Sequence, residues 1–365
     1  MKIYNTYHQP YFQGKNTITR VADKSVGKCI HSAKISDFDK FVFKQYMFAK
    51  NLRVNWNQAE VDKLFKLDGE EFISCSTDYL MKIMNIPAKL KPEIKPAKLS
   101  VGDMGYIPYE HILLVNTDSK LESKANIFAL IRHELQHMVQ SFDILRYEGL
   151  ADKIVSVYLK NGFNYEEDSF LIDTIVDNEE KLNIDHLKQT LNDDILIDGI
   201  LELRKHKKNN DIEKYNLTKE KLIEYDRQET LNTILEVRDQ VIEAFGSIKV
   251  GTKEGDRVQK LYDSLINDNY FNSDSSIDKG KYVYNVLEFE AINAQQILFD
   301  ELNGKCFIKS VKDNAHKTRQ NIQLAQNANS TLTEQEINTY KEIDKAGSQY
   351  NYKGGLKKLA EYLMD

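Results

Sequence analysis

Residues 130–140, LIRHELQHMVQ, place His133 and His137 four positions apart, with Glu134 directly after the first histidine. On an α-helix, positions i and i+4 stack on one face, so the two imidazoles can converge on one point in space. An imidazole nitrogen binds zinc at about 2.0–2.1 Å, and a catalytic site adds a third protein ligand and a water. Glu134 lies beside the pair and can take a proton from that water. These residue types at this spacing point to hydrolysis supported by Zn2+, with His133 and His137 as metal ligands and Glu134 as the catalytic base. The competing reading is two histidines on an exposed helix with no metal, since such a pattern arises by chance in about one chain in a hundred. Its setting, a strand followed by a well-formed amphipathic helix, favours the metal.

The elements that must position these residues can be read around them. Ser119 and Glu122 have capping-box spacing. Ile127, Ile131, Leu135, Met138 and Phe142 recur at intervals of three and four, which predicts one apolar helix face. The histidines lie roughly opposite that face, so one side should pack on a core and the other should face a cleft. Upstream, HILLVN (111–116) reads as a strand, either a core strand or one that a peptide could extend. Residues 38–52 read as an amphipathic helix, and the Lys/Pro-rich stretch 86–100 as an extended, exposed connector. All five prolines precede residue 109, so the rest of the chain can carry long helices. Helices are expected at 150–161, through the acidic 165–200 and over 212–245. RKHKKNN (204–210) reads as a solvated loop, and 246–280 as a looser region. Residues 282–299 form the most apolar late segment, and the last 65 residues should be helical.

Composition narrows the function classes. The formal net charge of −6 over 365 residues disfavours a protein whose main task is gripping a phosphate backbone, so no nucleic-acid partner is expected. Three widely spaced cysteines, Cys29, Cys75 and Cys306, give neither a disulfide framework nor a paired-cysteine metal knuckle. The start, MKIYNTYHQPYFQGK, has no secretory apolar run, and no stretch reaches the ~18 apolar residues of a membrane span. The expected location is the cytoplasm or the inside of a particle, with no membrane partner.

GYIPYEHILLVN followed closely by LIRHELQH resembles the zincin metallopeptidase core, in which a strand at the edge of a small sheet runs above the helix carrying HExxH. The form HELQHxxQ, ending at Gln140, is similar to small zincin domains of bacteriophages and mobile elements. The resemblance covers residues 101–155 and, more loosely, 282–299. It also suggests third ligands. Glu148 in YEGLADK looks like the glutamate of gluzincin aminopeptidases, with Asp152 resembling a carboxylate that supports a zinc histidine. EFEA resembles the ExEA segment of ImmA/IrrE-like peptidases, which maps the ligand to Glu288, with Glu290 as its neighbour. Helix geometry weighs on the choice. If the helix continues unbroken, Glu148 lies about 16 Å along the axis from His137, out of reach. Glu288 sits in an apolar helix, where a buried carboxylate needs a partner and a cation is a good one. Glu288 is therefore favoured, with Glu148 and Glu290 left open.

The expected fold is α+β and predominantly helical: a zincin-like core of small sheet and HExxH helix, with a large helical insertion. The expected organisation is an N-terminal α/β region with connector (1–100), the zincin core (101–160), a helical insertion (161–280), and a ligand-return helix with C-terminal helices (281–365). The function the resemblance implies is a zinc metallopeptidase acting on a protein or peptide. The alternative is a phage-type virion, cargo or structural protein with a zincin fold and little or no peptidase activity, whose partners would be virion proteins. Tyr282 and Tyr284, near the ligand segment, are candidates for oxyanion support, although such tyrosines are more often core aromatics.

Overall fold

The computed structural model describes residues 37–97, 103–116, 123–180, 183–191, 193–267 and 286–315. In chain order these form α1 (Asp37–Leu52), α2 (Gln58–Leu64), α3 (Gly69–Ile83), a 3-10 turn (Ala88–Leu90), β1 (Glu93–Ala97), β2 (Met104–Ile107), β3 (Ile112–Asn116) and α4 (Lys124–Leu145). Then follow α5 (Ala151–Gly162), α6 (Tyr165–Asp177), α7 (Ile184–Leu191), α8 (Asp194–Lys208), α9 (Ile212–Phe245), α10 (Lys253–Asn267) and α11 (Val286–Leu302). A further helical stretch spans 307–315. The architecture is α+β and mostly helical, with one small mixed sheet among the described residues. The chain divides into two compact units. The first comprises the segments up to Tyr106, 112–149 and from Val241 onward; the second comprises 107–111 and 150–240.

In the first unit α4 is the central element. It begins where Ser123, in extended backbone, accepts a hydrogen bond from the Asn126 N–H and so satisfies one of the free amides of the first turn. The expected capping pair Ser119 and Glu122 lies outside the described residues. Phe128, Ile131, Leu135, Met138 and Phe142 are at most 1% exposed, and each such burial contributes about 1.5–3 kcal/mol. The expected open side of this helix is not found. Burial runs around α4 and takes in Arg132, His133, Glu134, Gln136, Gln140 and Asp143. α11 packs along the histidine side, and α3 and α10 pack on the same helix.

The sheet has the order β1-β3-β2. β1 runs parallel to β3, with Glu93 opposite Ile112 and Ala97 opposite Asn116. Within the stretch 86–100 read as an extended, exposed connector, Glu93–Ala97 are extended but pair into the sheet, Ala88–Leu90 form a 3-10 turn, and 98–100 lie outside the described residues. Pro96 falls on β1, an edge of the sheet among the described residues, where proline is more readily accommodated than in a central strand. β3 is the middle strand, so both of its sides are already paired and HILLVN has no edge to offer a peptide.

The region read as loose also holds regular structure. α10 buries Val258, Leu261, Tyr262 and Leu265, spaced at i, i+3, i+4 and i+7, which is a one-faced helical pattern.

The second unit packs α6, α7, α8 and α9 around Val176, Leu187, Ile197, Ile200, Leu203 and Leu222. Gly199 lets α8 and α9 approach closely: a Cβ there would stand 2.3 Å from Leu222 Cδ2. Of the basic run read as a loop, Arg204–Lys208 form the end of α8, and only Asn209 and Asn210 turn out of it. Arg204 is buried and donates to the Ile175 carbonyl, while Lys207 and Lys208 pair with Asp177 and Glu179. Cations also suit that helix end, where carbonyl dipoles point outward. No helix among the described residues is long and apolar enough to cross a membrane. Cys75 and Cys306 carry free thiols.

Candidate metal centre

One turn of α4 separates His133 from His137, and their rings meet edge to face with centroids 4.8 Å apart. Both Nε2 atoms point to the same place and stand 3.0 Å from each other. α11 brings Glu288 to that point, with Oε2 3.4 Å from His133 Nε2 and Oε1 3.3 Å from His137 Nε2. All three side chains are buried or nearly so, Glu288 at 1% exposure. The donor atoms of the three residues lie within 4.8 Å of one another, so the group can hold a metal ion. The spacing suits a small divalent ion: ligand bonds of about 2.0–2.1 Å in a tetrahedron need donors about 3.3–3.4 Å apart.

The electrostatics of the site follow from burial. Removing the His137 ring from water lowers its pKa. The charge and hydrogen bond of Glu288, with help from Glu134 and Gln140, outweigh this and raise it from 6.5 to about 9. For Glu288, burial acts upward, but the two imidazoles hold the carboxyl well below the usual carboxylate range. Each partner thus favours the charged form of the other. A divalent cation can take the place of the proton, because the carboxylate is already ionised and its neighbours already aimed.

Glu134 lies on the rim of the same cluster. Its Oε2 accepts the Tyr106 backbone N–H of β2 at 2.9 Å. Its Oε1 stands 4.0 Å from His133 Nε2 and faces the ligand atoms. The sheet thus fixes one carboxylate oxygen and leaves the other toward the centre.

The two competing glutamates have other partners. α4 runs to Leu145 with no early turn. Beyond it, Glu148 accepts from Ser247 Oγ at 2.8 Å and pairs with Lys249. Those partners lower its pKa in a surface cluster away from the histidines. Glu290 is two residues past Glu288, about 200° around the helix, and therefore points elsewhere. Its Oε2 accepts from Gln140 Nε2 at 3.0 Å and Arg257 Nη2 at 2.8 Å. Asp152 is exposed on α5. The Nδ1 of His137 is held instead by Gln140, at 3.0 Å from Oε1. Tyr282 and Tyr284 lie outside the described residues.

Behind His133, His137 and Glu288 is a set of charged residues that spacing along the sequence did not reveal. Arg257 of α10 bridges Asp143 and Glu290. Arg146, just past α4, grips Asp143 and reaches Glu254 and the Gly246 carbonyl. The Arg146 and Asp143 side chains are 1% and 2% exposed. The one signal that could have placed Arg257 was the apolar spacing of α10, which sets it beside a buried stripe.

Comparison with known proteins finds no counterpart: no protein family, no curated protein and no solved structure matches this chain.

Proposed function

We propose that the protein is a zinc-dependent metallopeptidase in which His133, His137 and Glu288 hold the metal and Glu134 is the catalytic base. The observation that carries the reading is the triangle of two Nε2 atoms and one carboxylate with edges of 3.0–3.4 Å, bordered by the free oxygen of Glu134. Zinc, when bound, supplies Lewis acidity that lowers the pKa of a water and polarises a carbonyl. The protein residues do the rest. Glu134 Oε1 accepts the proton of the attacking water, and the carboxylic acid so formed returns it to the departing amine nitrogen. The Tyr106 N–H keeps Oε2 occupied, so the carboxylate cannot swing away between the two transfers. Glu288 supplies negative charge to the ligand set from a side chain with almost no contact with solvent.

The same burial favours one second reading, in which the ion ties α4 to α11 in a virion or structural protein that hydrolyses little. One experiment separates the two. Zinc titration should give a single site. Glu134→Gln should keep that site and lose peptide hydrolysis by on the order of 10²–10⁴-fold, the usual range for a general base. Hydrolysis that survives Glu134→Gln intact would remove Glu134 from the mechanism. A chain that binds zinc yet cleaves no peptide in a broad library would favour the structural reading.

A further inference from the structure

The amide of Gln140 is oriented by chemistry that leaves one assignment. On one side it faces the Leu287 carbonyl at 3.0 Å and the Glu290 carboxylate at 3.0 Å, both acceptors only. That side must therefore be the NH2, and the oxygen must face His137 Nδ1, 3.0 Å away. An amide oxygen cannot donate, so the proton sits on His137 Nδ1 and is donated to Gln140 Oε1. In the neutral ring this leaves the Nε2 lone pair, which is directed at Glu288, free to bind.

The other end of the same side chain acts on the second ligand. Leu287 directly precedes Glu288, so the bond from Gln140 Nε2 to the Leu287 carbonyl anchors the start of α11 next to α4. Glu290 adds a second anchor one turn along, and Arg257 ties that anchor to Asp143 of α4. Gln140 lies three residues from His137 and is 1% exposed. Its amide therefore touches both arms of the site, the His137 ring through Oε1 and the residue before Glu288 through Nε2. His133 has no equivalent: among the described residues its Nδ1 has no hydrogen-bond partner.

We propose that Gln140 is a positioning residue for the metal centre, fixing the His137 tautomer with its oxygen and the Glu288 turn of α11 with its nitrogen. This role rests on the zinc reading above. Gln140→Met keeps the volume and removes both ends of the contact, and should weaken zinc binding about 10–100-fold in a competition titration with a chromophoric chelator. Leu80→Ala, a buried cavity on α3 outside this network, should lower the melting temperature and leave zinc affinity unchanged. This separates positioning from general loosening.

A second measurement needs no variant at Gln140. In the zinc-loaded wild-type chain, ring nitrogen and proton NMR should show His137 metallated at Nε2, with a slowly exchanging proton on Nδ1. Zinc bound through Nδ1, or Gln140→Met with wild-type affinity, would overturn the role while leaving the metal site standing. If Gln140→Met does not fold, the NMR result decides alone. A wild-type chain that takes up no zinc would overturn the zinc reading and this role together.

Discussion

The two units carry comparable charged side chains and use them in opposite ways. In the second unit, Lys207, Lys208, Asp177 and Glu179 form pairs at a helix end where every member is half exposed. In the first, Asp143, Arg146, Arg257 and Glu290, with the amide of Gln140, lie behind His133, His137 and Glu288 and interlock across α4, α10 and α11. Surface pairs are solvated in both the folded and unfolded chain, so their net value is small. Buried ones must recover the cost of leaving water through several hydrogen bonds each, which only a fixed geometry allows. A chain that bears this cost in one place has rigid geometry there, and in this protein that place adjoins two histidines and a glutamate.

Substitutions that remove one member from each network should sharpen the contrast. Arg146→Met should cost the most, about 3–5 kcal/mol by urea unfolding, because it takes the donors from buried Asp143 Oδ1, leaves Asp143 with Arg257 alone, and removes a guanidinium that is 1% exposed. A loss under 1 kcal/mol would show that the interior network is no more rigid than the surface one.

An effect of intermediate size comes from pH. The His137 pKa is raised to about 9 from 6.5, so its ion pair with Glu288 stabilises the metal-free fold fully below pH 6.5. That contribution fades as pH rises through 9. Glu288, held below the usual carboxylate range, stays ionised across this window and belongs to the same pair, which counts once. Zinc needs the neutral ring, so its affinity should climb by about tenfold per pH unit over the same interval, with about one proton released per ion bound. Melting temperatures with and without zinc should diverge from pH 6.5 to 9. Parallel curves would mean that His137 does not exchange its proton for the metal.

The smallest effect should be at the surface. Lys208→Ala should change stability by less than about 1 kcal/mol, and less still in high salt, when followed by thermal unfolding.

Much of the local structure was legible because it depends on near neighbours. The strand at Ile112–Asn116 and the helices at Asp37–Leu52 and Ile212–Phe245 follow from runs and periods contained within each segment. The errors have physical causes. Proline and lysine around residue 95 suggested a connector, and only pairing to β3 makes that stretch a strand. Glycine and serine on either side of α10 hid a helix whose buried stripe needed α4 and α11 to give it a partner. The basic run at the end of α8 has the charge density of a solvated loop, but Arg204 and His206 are buried with the helix that continues through them to Lys208.

The sequence by itself determined that His133, Glu134 and His137 share one helix turn, since a 3.6-residue period leaves their relative directions no freedom. It also set apart Glu148, Glu288 and Glu290 as carboxylates worth considering. Helix geometry and an apolar setting favoured Glu288 among them, and the tertiary structure decided which one reaches the histidines. Glu288 reaches the histidines because α11 lies along α4, while Glu148 and Glu290 are drawn to Lys249 and Arg257. That choice depends on the packing of helices some 150 residues apart in the chain. Spacing along a sequence fixes directions within an element, and only the burial of one element against another fixes distances between them.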